Sequence, residues 1–282
     1  MRPCDLPRQA LTLPAPLIET AASGTQGVRM DIVPEEVPVA LAYNGITHAV
    51  MLASPADLAD FGLGFSLSEG ILQRADELFD LEVESGEQGV VVQMRIAGDR
   101  FAGLKARRRT LAGRTGCGLC GVDSLDQVAR PVPMLPPEPH IPAAALRWAL
   151  DQLHVRQPLH ARTGGVHAAA WADASGALHL VREDVGRHNA LDKLIGHLLR
   201  TKADPADGFV LITSRCSFEM VEKTAVFGAS ALVAISAPTS LAIERANAYG
   251  MTLVAIARAD GAMVFGNAGK IISTVVTGET TR

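Results

Sequence analysis

Two cysteines three apart in a bed of glycine, "GRTGCGLCG" (Gly113–Gly121), are the residues of this chain best suited to covalent chemistry. A Cys-x-x-Cys pair can hold a metal, cycle as a dithiol, or carry an atom on one sulfur. Structural zinc wants four ligands, usually two such pairs. The other cysteines, Cys4 and Cys216, are single and distant, and His140 and His188 have no ligand spacing. No structural metal is therefore expected. A thioredoxin-like pair opens a helix after a strand of a βαβ unit, whereas Cys117 and Cys120 stand in a glycine-rich stretch with only "VDSLDQVA" behind them as helical material. Gly116 and Gly118 remove side chains that would obstruct approach to Cys117. The basic run Lys105, Arg107, Arg108, Arg109 and Arg114 lies just ahead. Positive charge there favours a thiolate. The same run also suits ligand phosphates or an acidic partner, or a plain solvated helix face.

Three further stretches carry polar chemistry. "REDVGRHNALDK" (Arg182–Lys193) is dense in charge at a strand-to-helix junction, where α/β folds place ligands and a helix start favours phosphate. "TSRCSFEM" (Thr213–Met220) opens the next helix in the same way. Two such starts on one crevice make an anion site of nucleotide size, with Arg187, His188, Asn189, Ser214 and Arg215 as candidates; the alternative is ordinary capping by Asp184 and Ser214. "VFGNAGKI" (Val264–Ile271) offers backbone N–H groups and one cation. It is too short for a Walker A loop. At the end of the last strand it is expected beside the two helix starts.

The elements that position these residues follow from periodicity. "VPVALAYNG" and "ITHAVMLAS" read as a hairpin turning at Asn44-Gly45. "SPADLADFGLGFSLSEGIL" reads as a helix, with Ser54 as cap, Pro55 in the first turn and Asp57 as a capping carboxylate. "FDLEVES" and "GVVVQMRIAG" form a second strand pair, and "DRFAGLKARRRT" a short basic helix. Six prolines between Pro131 and Pro142 read as a stiff linker. Beyond it come a helix ("AAALRWALDQLHV"), a hairpin turning near Asp173–Gly176, and an amphipathic helix ("GRHNALDKLIGHLLR"). Buried strands then alternate with helices through "GFVLIT", "SFEMVEKTAVFGA", "ALVAIS", "SLAIERANAYG" and "TLVAIARAD". The expected organisation is an irregular tail (1–28), a smaller α+β domain (29–110), a Cys-x-x-Cys loop with proline-rich linker (111–142), and a three-layer α/β domain (143–282).

That last domain resembles the cytidine deaminases in order and spacing. Those enzymes carry His-x-Glu at one helix start and Pro-Cys-x-x-Cys at the next. Here the first holds His188-Asn189-Ala190 and the second Arg215-Cys216-Ser217. Ala190 stands where the acid/base glutamate belongs and the second zinc cysteine is absent. The resemblance implies a deaminase-like α/β fold without deaminase chemistry.

Composition narrows the function classes. The chain has 282 residues, 48% of them hydrophobic, and a net charge of −4. A slightly acidic balance gives no general nucleic-acid binding, and 4% aromatic residues argue against stacking platforms for single strands. No apolar run reaches the length of a membrane span, no secretory signal is visible, and four cysteines are not a disulfide framework. The expectation is a soluble cytoplasmic protein with reduced thiols.

Together, "RTGCGLCG", "TGGVHAAAW", "REDVGRHNALDKLIG" and "MTLVAIARADGAMVFGNAGKI" resemble the FdhD family of formate dehydrogenase accessory sulfur carrier proteins, over nearly the whole chain from about Arg29. The resemblance implies a sulfurtransferase that accepts persulfide sulfur from a cysteine desulfurase. It then passes that sulfur to the molybdenum cofactor, bis(molybdopterin guanine dinucleotide), before the cofactor enters formate dehydrogenase. It implies that Cys117 bears the persulfide and Cys120 assists. It further implies cofactor binding along Phe265, Gly266, Asn267, Ala268, Gly269 and Lys270, and a homodimer. No role follows for Cys216. The rival classes are a cofactor-binding chaperone without sulfur chemistry, a metal-dependent deaminase, and a dithiol oxidoreductase.

Overall fold

The structure, a computed structural model, describes residues 10–13, 31–111, 132–137, 139–258, 261–267 and 271–272. Strand β1 (Ala10–Leu13) lies inside the stretch expected to be irregular. It has no period of its own and is held by antiparallel pairing to β2 (Asp31–Pro34). Strands β3 (Val37–Tyr43) and β4 (Ile46–Ala53) form the expected hairpin. Asn44 (φ 47°) and Gly45 (φ 82°) both take the left-handed conformation that a tight primed turn requires. Helix α1 (Leu58–Ser68) begins later than expected, and Ser54 does not cap it. Asp57 occupies the cap position at φ 55°, and its carboxylate caps nothing. Strands β5 (Leu78–Gly86) and β6 (Gly89–Ile96) pair antiparallel. β6 also runs parallel to β3, giving a sheet of order β4-β3-β6-β5. Helix α2 (Gly98–Leu111) follows.

Strand β7 (Ile141–Pro142) leads into α3 (Ala143–Val155). Helix α4 (Pro158–Thr163) is an addition to the expected elements, being too short to show a period. Pro158 suits its first turn, and the Glu183 carboxylate accepts from the Leu159 and His160 N–H groups at 2.9 and 2.8 Å. Then come β8 (His167–Asp173), β9 (Leu178–Asp184), α5 (Arg187–Thr201), β10 (Gly208–Ile212), α6 (Phe218–Phe227), β11 (Ala231–Ala234), α7 (Ser240–Tyr249), β12 (Thr252–Arg258), β13 (Gly261–Phe265) and β14 (Ile271–Ile272). Six of these strands form one sheet of order β13-β12-β11-β10-β8-β9. β10, β11 and β12 run parallel, while β8 and β13 run antiparallel to their neighbours β10 and β12. The apolar runs of β10 and β11 are wholly buried, as strands covered on both faces must be. The architecture is mixed α/β.

The chain divides into two compact units assembled out of chain order. The first comprises 1–122, 157–168 and 182–200, the second 123–156, 169–181 and 201–282. A cut at the proline-rich stretch would follow the chain; instead α5 joins the early unit. There, α1 is buried almost all round, as an apolar helix between layers must be. One side meets the sheet, where a Cβ on Gly62 would fall 2.8 Å from Val92. The other side meets α5, where a Cβ on Gly64 would collide with the Asp192 carbonyl oxygen and one on Gly196 with that of Asp60. Two glycines thus let two helix backbones touch.

Candidate functional site

Cys117 and Cys120 lie outside the described residues, as do Ala268, Gly269 and Lys270. The structure gives the elements that lead to and from them. Helix α2 precedes the cysteine stretch, and its Lys105 ammonium sits 4.2 Å over the Phe101 ring, a cation–π contact. On the far side, the Leu135 N–H donates to the Tyr249 carbonyl at 2.9 Å.

The charged motif Arg182–Lys193 divides its side chains among four separate tasks, all within the first unit; one is that of Asp192, whose Oδ1 accepts from the Ser68 hydroxyl at 2.6 Å. The Asp184 carboxylate is fully buried. Its Oδ2 accepts from Lys193 Nζ at 2.6 Å and from the Ser54 N–H at 3.0 Å. Its Oδ1 accepts from the Gly186 N–H at 2.8 Å and Asn189 Nδ2 at 3.0 Å. Lys193, also fully buried, donates to the Ser54 carbonyl at 2.9 Å. The Ser54 hydroxyl accepts from the Val185 N–H at 3.2 Å. Ser54, expected as a local cap, thus serves a partner far away in sequence. A buried charge pair is tolerated when its remaining donors and acceptors are satisfied, and here four donors surround one carboxylate.

Arg182 turns to a second carboxylate. It donates to Asp60 Oδ2 at 2.8 and 3.2 Å, and Arg200 donates to Asp60 Oδ1 at 2.7 Å. Glu183 serves the start of α4. Asn189, expected to bind ligand, also spends its amide inward, on Asp184 and on the Leu52 carbonyl at 2.8 Å.

That leaves the first turn of α5, where Arg187 and His188 are half-buried. Arg187 Nε is buried and makes no hydrogen bond among the described residues. Its charge is felt by His167, whose pKa lies below the usual 6.5. Burial is the main cause; the Arg187 and His160 charges add to it and Asp184 opposes it.

In the second unit, Ser214 is buried and its hydroxyl donates to the Arg215 carbonyl at 3.1 Å. It does not cap α6, whose cap position is Ser217. Arg215 is exposed. Cys216 is fully buried, its backbone joined to Ala237 and Thr239 of the next loop, and burial pushes its thiol up to about 12. A thiol so raised is a poor nucleophile.

The turn after β13 stands away from its expected place. β13 runs antiparallel to β12, so Phe265 lies level with Leu253. Gly266 and Asn267 therefore emerge at the edge where β10, β11 and β12 begin. Thr213 to Arg215 leave from the opposite edge. The turn is fixed by its neighbours. Gly266 has φ 77°, and a Cβ there would collide with Asn247 Oδ1. Asn267 Nδ2 donates to the Gly250 carbonyl, and the Thr252 hydroxyl donates to the Asn267 carbonyl, both at 2.8 Å.

Ser54, Asp60, Tyr249 and Thr252 are not legible in these roles from the sequence, because each acts on a partner distant along the chain. Gly250 is legible only as the end of α7, which it is, at φ 70°. Among the described residues no group of three or more His, Cys, Asp or Glu could hold a metal ion, and no helix is long and apolar enough to cross a membrane.

Comparison with known proteins adds the relatives. The FdhD/NarQ family matches residues 34–272. The sulfur carrier protein FdhD of Cupriavidus necator is 54% identical over 235 residues, covering 83% of this chain and 82% of that one. The protein of the same name from Xanthomonas euvesicatoria pv. vesicatoria is 50% identical over 256 residues, covering 91% of each. A crystal structure of a protein from Desulfotalea psychrophila, assigned as a formate dehydrogenase accessory protein, has 26% identity and a TM-score of 0.73. It covers 94% of this chain and 100% of its own.

Proposed function

The chain belongs to the FdhD/NarQ family, and on that premise we propose that it is a sulfur carrier acting through a persulfide on Cys117. The observation that carries this reading is the Cys117-x-x-Cys120 pair, set within the matched residues of a chain half identical to named sulfur carrier proteins.

The proposed chemistry balances with two thiols. The Cys117 thiolate attacks the sulfane sulfur of a cysteine desulfurase persulfide. A new S–S bond forms on Cys117, and the desulfurase thiolate leaves. The Cys120 thiol then attacks Cys117 at its inner sulfur. A Cys117–Cys120 disulfide forms and sulfide departs, carrying the electron pair of the broken bond. A cellular thiol reductant restores the dithiol. The recipient is the molybdenum cofactor, bis(molybdopterin guanine dinucleotide), on its way to formate dehydrogenase. Phe265 to Lys270 are the proposed cofactor-binding segment, and Arg187, His188 and Arg215 the proposed phosphate contacts. So large a ligand has two nucleotide arms, which suits contacts at separate places better than one crevice. Asn189 and Ser214 support the loops behind these contacts.

The deaminase-like layering of the second unit belongs to the same proposal. Its support is a sheet in which an antiparallel hairpin, β8 and β9, precedes parallel strands β10 to β12 alternating with α6 and α7. A homodimer working in the cytoplasm, where thiols stay reduced, completes the reading.

The deciding experiment loads the protein with a desulfurase and cysteine and measures by mass spectrometry the gain of sulfur on the Cys117 peptide. Cys117→Ala is expected to lose it, and Cys117→Ser to fail to restore formate dehydrogenase activity in cells lacking the carrier. If Cys117→Ala loads like the parent, the persulfide assignment is wrong. If both cysteines are dispensable in cells, an escort that does no sulfur chemistry is the better description.

A further inference from the structure

We propose that the Tyr249–Gly250 corner is a positioning element that fastens the chain leaving the cysteine stretch and the head of the cofactor segment to a single spot. The proposal rests on the sulfur-carrier reading, and the residues that build the corner, from Leu135 to Asn267, all belong to the second unit.

Two adjacent carbonyls make the corner. The Tyr249 carbonyl accepts from the Leu135 N–H at 2.9 Å. The next carbonyl, that of Gly250, accepts from Asn267 Nδ2 at 2.8 Å. Consecutive residues stand about 3.8 Å apart, so the two fastenings are about one residue apart. Each is reinforced. Leu135 is buried, and a Cβ on Gly250 would fall 2.7 Å from Met134 Sδ, so the linker lies directly against the helix end. The Thr252 hydroxyl holds the Asn267 carbonyl, and Gly266 lies against Asn247 in the last turn of α7.

The same two segments meet again a few residues on. β7 pairs parallel with β14, Ile141 opposite Ile271 and Pro142 opposite Ile272. The two segments thus share the corner through Leu135 and Asn267 and pair directly through 141–142 and 271–272. One of these stretches is the way out of the cysteine stretch, and the other begins the proposed cofactor segment. Cys120 is covalently continuous with Leu135 over a short length of chain. A tethered donor acts at an effective concentration set by the length of the tether and by where it is fixed. The corner fixes it.

Two variants each undo one fastening. Leu135→Pro removes the N–H that reaches Tyr249. Thr252→Val removes the hydroxyl that holds Asn267 and keeps the side-chain volume, while Thr252→Ser keeps the hydroxyl. Three quantities are read: persulfide loading of Cys117, formate dehydrogenase activation in cells lacking the carrier, and amide hydrogen exchange across residues 261–267. Loading is expected at the parent level in all three. Activation is expected to fall about tenfold in Leu135→Pro and Thr252→Val as the tether loses its anchor, and to recover in Thr252→Ser. Exchange at 261–267 is expected to rise in Leu135→Pro, although that substitution lies in the other segment. If activation and exchange in Leu135→Pro and Thr252→Val match the parent, the shared anchor does not exist. If loading falls together with activation, the corner is merely structural and the positioning role is overturned. Failure of the sulfur-carrier reading shows differently, as undiminished loading of Cys117→Ala; the exchange coupling then still decides whether the two segments share an anchor.

Discussion

The segments 182–193 and 261–267 both carry residues of the kind that bind ligands, yet they are built in opposite ways. The first is crowded with charge, and nearly all of it is turned inward: Arg182 on Asp60, Glu183 on the start of α4, Asp184 on Lys193, Asn189 and Ser54. The second has no charged side chain among its described residues and is held by backbone carbonyls, one amide and one hydroxyl. Of these two segments, the one dense in charge is the one that needs internal pairing. The plainer segment is the one left with its backbone at a sheet edge, next to the proposed cofactor residues.

The sharpest way to break this contrast is to open the Asp184 hub. Lys193→Met leaves a buried carboxylate without its cation, and removing one partner of a buried pair costs about 3–5 kcal/mol. Urea unfolding should show a loss of that size. Thr252→Val, which removes one hydrogen bond at the other segment, should cost about 1 kcal/mol. Equal losses at the two positions would mean that the hub is not the stabilising feature its geometry implies. A double change of Asp184 and Lys193 to apolar residues should recover part of the loss, because the unpaired charge goes with its partner.

Next in size is the helix crossing that presents the hub. Gly64→Ala places a methyl group against the Asp192 carbonyl, which is backbone and cannot rotate away. Overpacking of this kind costs about 1–3 kcal/mol or more, and Gly196→Ala should behave alike for the reciprocal reason. Nearby Gly62 meets side chains, which can yield, so Gly62→Ala should cost less. Thermal unfolding of the three variants orders them; a cost at Gly62 equal to that at Gly64 would remove the backbone contact as the cause.

What can be read from the sequence is whatever is decided locally. The Asn44-Gly45 turn, the strongly periodic α5, and the Gly250 helix end are each fixed by a few neighbouring residues. Most of the misreadings share one physical cause, partners remote along the chain. Ser54 looks like a helix cap because Ser before Pro often is one, but the loop around Asp184 claims it first. α4 is too short to display a period and is secured by Glu183 of strand β9. The glycines at 64 and 196 are ordinary in a helical pattern until two backbones meet over them. Strand direction is not legible from composition, so the turn at Gly266 reads as a neighbour of the helix starts; one antiparallel strand, β13, carries it to the other edge. The early grouping of α5 is hidden for the same reason, since its contacts with α1 cross more than a hundred residues.

The smallest effect tests the one place where charge in the first segment is not fully turned inward. Arg187 begins α5 with a buried Nε that makes no hydrogen bond among the described residues. Burial first, and then the Arg187 charge, depress the pKa of His167. The folded state thus favours neutral His167, while the unfolded chain protonates it near 6.5. Below that pH the unfolded state binds more protons, so the contribution to stability falls as pH drops from about 6.5 to the lowered folded value, then levels off. Arg187→Gln removes the second cause and leaves the first, burial. The His167 ring should then titrate higher than in the parent but still below 6.5, as followed by its ring-proton resonances, and the acid loss of stability should begin in the same place yet be shallower. A titration unchanged by Arg187→Gln would mean that this guanidinium is already neutralised. The first segment would then be inward-facing without exception, and α5 would lose its claim to a phosphate.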